Sequence, residues 1–265
     1  MDPGGATTLK TEAHPGRQAL IVWCVFVALN LAINGTIPFV LGQDMRAWSA
    51  SPLHSLLYGF VQYGIMFLVV PLILIKGWGM VRQPAFLIPL CAAVAAITLW
   101  AAARGIAALA VLALAFLHRR FDLSGYGIRS SGWKGDALAV LFVAFLAAVP
   151  AAFGSAPPSF DLRSAVPAGL DRWFANPAAT VENLFYFGFV AQRFSRSMPR
   201  WGVPIVIGAM YTAHEMSNPE YWYVGMNFIL TFIGIALFAA IYLWRRSVVP
   251  IWLGDGLGRL IGRLL

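Results

Sequence analysis

The chain has 265 residues, of which 60% are hydrophobic and 11% are charged, and its mean hydropathy is +0.73. Soluble domains carry about 25% charged residues, so this composition excludes a water-soluble protein and predicts an all-α polytopic membrane protein in a lipid bilayer. The net charge of +8 comes from 19 Lys and Arg against 11 Asp and Glu, and their scatter among several loops indicates contact with anionic lipid rather than nucleic-acid binding.

A polar leader at 1–17, rich in Gly and Pro, precedes a series of apolar runs. Only helices and closed barrels satisfy backbone groups in lipid, and these runs are longer than barrel strands need to be. A helix needs about 20 residues to span, so 105–117 and 203–217 are short, and Arg104 leaves one or two helices possible within 84–117. We expect a bundle of about eight transmembrane helices, roughly seven to nine. The runs cover 19–41, 56–75, 84–103, 105–117, 137–153, 177–192, 203–217, 222–243 and 248–264.

The basic residues predict the orientation of the bundle. If every run crosses the membrane, the basic loops all fall on one side, and that side is expected to be cytoplasmic. The N-terminus is then inside and the C-terminus outside. No internal repeat or matched pair of broken helices supports a transporter. The basic loops contain Lys10 and Arg17; Lys76 and Arg82; His118 through Lys134; Arg193, Arg196 and Arg200; and Arg245 and Arg246.

Three ionisable residues, Glu182, His214 and Asp255, lie inside the last apolar runs, where a charge needs a partner or a function. Glu182 shares a helix face with Tyr186 at a spacing of four residues, while Asn183 and Phe187 point about 100° away. Asp255 and Arg259 are also four residues apart. The topology places Glu182 and His214 near the outer ends of their helices and Asp255 near mid-depth, so all three could meet in the outer half of the bundle.

Two interpretations of this constellation remain open. Glu182, His214 and Asp255 could bind a divalent metal such as zinc, although no general base then remains unless Glu215 reaches the site. Alternatively, His214 is a hydrogen-bonded core residue paired with Glu182, and Asp255 pairs with Arg259. Glu215, Asn218 and Glu220 are expected at an exposed rim, and His54 and His118 at solvated interfaces.

The same segments resemble the CPBP family of intramembrane metalloproteases, which includes CAAX prenyl endopeptidases and bacteriocin-processing proteins. The family carries Glu-Glu-x-x-x-Arg on one helix, Phe-x-x-x-His on the next and His-x-x-x-Asn on a later one. The corresponding segments here begin at Glu182, end at His214 and begin at Asp255, and Gly188 follows the first. Upstream, FDLSGYGIRSSGWKGDALAVLFVAFL resembles the family's entry into a membrane helix.

The resemblance divides the chain into the leader at 1–17, N-terminal transmembrane helices at 18–117 and a CPBP-like core at 118–265. It implies that Glu182 activates water and that His214 holds a metal or an oxyanion. It also implies an integral protein of a bacterial inner membrane.

Departures from the family pattern bear on activity. Asn183 replaces the second glutamate, Phe187 the arginine, Met210 the phenylalanine, Asp255 the second histidine and Arg259 the asparagine. Arg259 would repel a dication, and its salt bridge to Asp255 or Glu182 would rebuild a neutral core.

The sequence therefore predicts a proteolytically inactive member that acts as an accessory or scaffold subunit with other integral membrane proteins. The alternative is an active metalloprotease that cleaves peptides or prenylated peptides through Glu182, His214 and Asp255. A transporter, a lipid-modifying enzyme and a pigment-binding subunit remain further alternatives.

Overall fold

The computed structural model describes residues 14–99, 113, 116–129, 132–153, 177–218 and 227–264, and within these ranges all regular secondary structure is helical. Ten helices are labelled here. They are α1 Pro15–Val40, α2 Met45–Ser49, α3 Pro52–Lys76, α4 Trp78–Val81, α5 Pro84–Leu99, α6 Trp133–Phe153, α7 at 177–194, α8 Gly202–Met216, α9 Phe228–Arg245 and α10 Val249–Leu264. Residues 116–121 are also helical, and Leu123–Tyr126 forms a 3₁₀ turn before α6.

The apolar runs of the sequence become helices with small shifts at their ends. Helix α1 begins at Pro15, so the last residues of the predicted leader are helical, and α3 begins at Pro52 rather than 56. Helices α1, α3 and α9 are long and apolar enough to cross a membrane. The chain is therefore an integral membrane protein, while a count of eight crossings stays a prediction. The leader up to residue 13, Arg104, and 105–112 lie outside the described residues.

The starts of several helices follow directly from the local sequence. Proline occupies the first turn of α1 and α3, where its missing N–H leaves no helical hydrogen bond unmade. The Ser51 hydroxyl accepts from the amide of His54 at 3.1 Å, which caps α3. In the same way, the Asn227 side chain caps α9 by accepting from Leu230. These caps fix where the apolar segments enter the bundle.

Aromatic side chains from the two halves of the chain form one core. The rings of Phe67 on α3 and Phe185 on α7 stack with centroids 4.3 Å apart, and Phe26 on α1 lies 4.6 Å from Phe67. Phe26 also meets the edge of His214 on α8 at 4.7 Å. Because aromatic pairs bury large areas, this cluster holds α1 and α3 against the helices that carry the candidate site.

Helix α10 packs closely on α6 through small residues. A Cβ atom on Gly254 would lie 2.5 Å from Cβ of Val143, and one on Gly258 would lie 2.5 Å from the carbonyl oxygen of Ala144. Small residues four apart allow such backbone approach between membrane helices. This contact sets the face that α10 presents to the rest of the bundle, and therefore the direction of Asp255.

The basic loops lie together at one end of the bundle, where side chains from separate loops are joined by hydrogen bonds. Arg193 belongs to the last turn of α7 and is buried over the ring of Phe189, rather than lying in an open loop. In the same region, a hydrogen bond to Ser124 lowers the pKa of Asp122 below its usual range. The bonds join Lys76 Nζ to the Asp122 carbonyl (2.5 Å), Arg193 Nη2 to the Leu74 carbonyl (3.3 Å), Arg129 Nε to the Arg246 carbonyl (2.6 Å) and Arg246 Nη1 to Ser195 Oγ (3.1 Å).

Candidate functional site

Helices α7 and α8 bring Glu182 and His214 together at the end of the bundle opposite the basic loops. Glu182 Oε1 lies 3.7 Å from His214 Nδ1, and the two residues are 8% and 1% exposed. The distance is too long for a hydrogen bond, which requires about 3.2 Å or less between these atoms. The pair is therefore close and buried, but its polar atoms are not directly bonded to each other.

Glu215 completes this pair from the position next to His214. One ligand atom from each of Glu182, His214 and Glu215 lies within 4.8 Å of the others, and Glu215 is only 4% exposed. The expectation of an exposed rim is therefore wrong for Glu215. It is also wrong for Asn218, which is buried and donates to the hydroxyl of Tyr58 at 3.0 Å. Helices α1 and α3 cover this end of α8.

Asp255 occupies a different position from the one expected for a metal ligand. Its carboxylate lies 3.8 Å from Nε of Arg259, one turn further along α10, and it does not belong to the group formed by Glu182, His214 and Glu215. The Arg259 side chain is 55% exposed, so this ion pair is loose and partly open. The structure thus places Glu215, rather than Asp255, as the third candidate ligand.

The other residues of the first motif divide between two faces of α7. Tyr186 faces the site, and its ring is nearly parallel to the His214 imidazole with centroids 6.0 Å apart. Phe187 instead points toward α9, where its ring lies 6.4 Å from that of Tyr242. Asn183 is half-buried. The expected separation of Tyr186 from Phe187 around the helix is confirmed.

Helix α7 widens locally where it passes the site. Residues Leu184–Ala191, which include Tyr186, have the wider turns of a π-helix. Such segments are frequent at functional sites, and α1 and α3 contain them as well, at Ala32–Thr36 and Tyr58–Val69. The widening begins two residues after Glu182.

Several buried polar atoms around the site lack a hydrogen-bond partner among the described residues. Both ring nitrogens of His214 belong to this set, as do the Tyr186 hydroxyl and Oε1 of Gln62. The Trp23 indole lies beside the Tyr186 hydroxyl, but the two do not form a well-aligned bond. A buried polar group without a partner costs about 1–3 kcal/mol, so a cluster of them favours a site that takes a polar ligand.

These residues fit a divalent cation. Ligand atoms that each lie about 2.0–2.2 Å from zinc can be at most about 4.4 Å apart, so a group within 4.8 Å would have to contract by at most about 0.4 Å. The separation of Glu182 from His214 is already short enough. Imidazole nitrogen and carboxylate oxygen are both suitable zinc ligands. In addition, two buried carboxylates repel each other unless one is protonated or a cation lies between them.

The sequence missed a second set of polar residues next to the site: the buried Asn30 and Asn34 on α1 and His54 and Gln62 on α3, and the half-buried Ser217 at the end of α8. Asn30, Asn34 and Gln62 carry the same signal that drew attention to Glu182, a polar residue within an apolar run. The prediction of a solvated interface is wrong for His54, which is buried and packs edge-on against Trp48 at 5.6 Å.

Models of known protein families, curated proteins and solved structures give no match to this chain. The resemblance to the CPBP family therefore depends on the motif residues, and the function on the geometry of the site.

Proposed function

We propose that the protein is an intramembrane metal-dependent peptidase of the CPBP type, with a variant site formed by Glu182, His214 and Glu215. The observation that carries this proposal is the convergence of these three buried side chains within 4.8 Å, with both nitrogens of His214 lacking hydrogen bonds among the described residues. Glu215 supplies from α8 a second carboxylate, which Asn183 does not provide from α7.

Each residue then has a defined role. Glu182, His214 and Glu215 would hold the cation, and bound zinc would supply Lewis-acid activation of water and of the substrate carbonyl. A carboxylate has two oxygens, so one can bind while the other accepts a proton. We assign the proton acceptor to Glu182, the role that the resemblance implies for it. The Tyr186 hydroxyl, which lacks a hydrogen-bond partner among the described residues, would donate to developing negative charge on the substrate oxygen.

The proposal extends to substrate, membrane and partners. Peptides or prenylated peptides are the substrates implied by the resemblance, and their apolar portions would reach the buried site through the bilayer. The positive-inside rule favours a cytoplasmic N-terminus, with the protein in a bacterial inner membrane and the site in the outer half.

A second candidate function is that of a proteolytically inactive accessory or scaffold subunit of a membrane complex. Two observations favour it. The three candidate ligands are all less than one-tenth exposed, so a peptide would reach them only after the helices separate. Arg259 also pairs with Asp255 at 3.8 Å, and the group of candidate ligands does not include Asp255.

The deciding experiment is a metal and peptidase measurement on the full chain, purified in detergent and reconstituted in liposomes. We expect stoichiometric zinc and hydrolysis of a fluorogenic prenylated peptide. Glu182→Gln removes the proton acceptor without changing the volume, so we expect the rate to fall by about 10²–10⁴-fold, the usual contribution of general acid–base catalysis.

Asp255→Asn is the matched control, because it also neutralises a buried carboxylate but lies outside the group. Its rate should stay close to that of the unmodified protein. Zinc without hydrolysis, together with co-purified membrane proteins, would favour the scaffold function. A protein that takes up no zinc would overturn the proposed metal site.

A further inference from the structure

A directed chain of hydrogen bonds runs from helix α3 through α1 to the backbone of His214. His54 Nε2 lies 3.0 Å from Asn34 Oδ1, Asn34 Nδ2 donates to Asn30 Oδ1 at 2.7 Å, and Asn30 Nδ2 donates to Ser217 Oγ at 2.5 Å. The Ser217 hydroxyl in turn donates to the carbonyl oxygen of His214 at 2.6 Å. Because an amide oxygen can only accept, His54 must donate through Nε2, and every bond then points toward His214.

This chain of hydrogen bonds lies in the interior of the bundle. His54, Asn34 and Asn30 are all less than one-tenth exposed, and Gln62 adds a second donor to Asn30 Oδ1. Polar groups inside a membrane bundle are retained where they bind, transfer or hold something. Such groups can also join helices without any effect on a site, so the end point of the chain decides its role.

Ser217 forms hydrogen bonds to the last turn of α8 at His214, one of the candidate ligands. The His214 carbonyl accepts from both the amide and the hydroxyl of Ser217, at 3.0 and 2.6 Å. Helix α1 therefore contacts His214 in two ways. Phe26 packs against the imidazole, and Asn30 donates to the Ser217 hydroxyl, which in turn donates to the His214 carbonyl oxygen. Helix ends fray easily, and fraying here would rotate the imidazole relative to Glu182.

We propose that Ser217, held by Asn30, is a positioning residue that fixes the orientation of His214 in the candidate metal site. The expected loss of zinc affinity rests on the proposed function, whereas the expected change in the orientation of the imidazole does not. The positioning role also gives the N-terminal helices a part in the site, because the residue that orients His214 is itself held by α1.

The test compares Ser217→Ala with Ser195→Ala, a closely matched control at the opposite end of the bundle. The Ser195 hydroxyl also donates to a carbonyl three residues earlier, that of Gln192, and also accepts from a side chain of another segment, Arg246. We expect Ser217→Ala to weaken zinc binding about tenfold or more, as loss of a residue that orients a ligand does. Ser195→Ala should leave zinc binding unchanged, and Ser217→Thr, which keeps the hydroxyl, should restore it.

A second measurement follows the imidazole itself. The chain has four histidines, so ¹⁵N-histidine spectra are simple, and His214→Gln assigns the relevant signals. In metal-free protein we expect the His214 signals to shift in Ser217→Ala and to stay in place in Ser195→Ala.

The outcomes separate the two proposals. If the unmodified protein binds no zinc, the proposed function fails, while the imidazole signals still decide the positioning role. Equal zinc affinities in the two alanine variants, or unchanged His214 signals in Ser217→Ala, would overturn that role.

Discussion

Replacing Glu215 by Gln is expected to lower the zinc affinity of the protein by at least about 100-fold, the upper end of the effect of losing a residue that only supports a ligand. The substitution keeps the shape of the side chain but removes the charge that the cation would meet within the group formed with Glu182 and His214. The measurement is a competition titration against a fluorescent zinc chelator. Asp255→Asn, outside that group, should leave the affinity unchanged.

Zinc should reverse the effect of Glu215→Gln on the melting temperature. In metal-free protein, Glu215→Gln removes the repulsion between two buried carboxylates, so its melting temperature should equal or exceed that of the unmodified protein. With zinc present, the order should reverse, because a ligand that binds only the folded state stabilises it more when it binds more tightly, by RT ln(1 + [L]/Kd). Loss of zinc affinity in Asp255→Asn, with none in Glu215→Gln, would return the third position to Asp255.

The helices were predictable from sequence because lipid permits few alternatives. Apolar runs in a membrane chain have to become helices, and the starts at Pro15 and Pro52 differ from the predicted ones by only a few residues. The shared face of Glu182 and Tyr186 was predictable for a similar reason, since it depends on local helix geometry alone. Both predictions concern one segment at a time.

The burial of Glu215, Asn218 and His54 depends on contacts between segments, which periodicity does not describe. A residue at the end of an apolar run is exposed unless another helix covers it. Here α1 and α3 cover the end of α8, as the bond from Asn218 to Tyr58 shows, while Trp48 of α2 and Asn34 of α1 cover His54. The identity of the covering helix follows from the packing of the aromatic core, and no pattern within α8 indicates it.

The position of Asp255 depends on depth as well as direction. His214 is twelve residues from the start of α8 at Gly202, whereas Asp255 is six residues from the start of α10 at Val249. Both helices begin near the basic end, so a rise of 1.5 Å per residue places Asp255 roughly 9 Å closer to that end. The sequence placed Asp255 near mid-depth, and a difference of this size is enough to separate it from the other two residues.

Gly188→Ala is expected to destabilise the fold more than any other change of similar size near the site. A Cβ atom at Gly188 would overlap the carbonyl oxygen of Tyr126, which is backbone and cannot rotate away. Tyr126 is itself anchored, because its hydroxyl donates to the carbonyl oxygen of Phe67 at 2.6 Å. We expect a loss of at least about 3 kcal/mol in the free energy of unfolding, the upper end of the range for overpacking.

Gly234→Ala is the matched control, since it adds the same methyl group within α9 where, apart from the nearby backbone of its own helix, no atom lies within 4 Å. It should be neutral, or stabilising by about 0.5–1 kcal/mol, because alanine favours a helix over glycine. Reversible unfolding in mixed detergent micelles measures both variants, and equal stabilities would contradict the packing role. The close approach of the 3₁₀ turn that contains Tyr126 thus requires a glycine at position 188, and this requirement does not apply to Asn183 or Phe187. Gly188 therefore informs on backbone packing alone, and evidence for chemistry has to come from Glu182, His214 and Glu215.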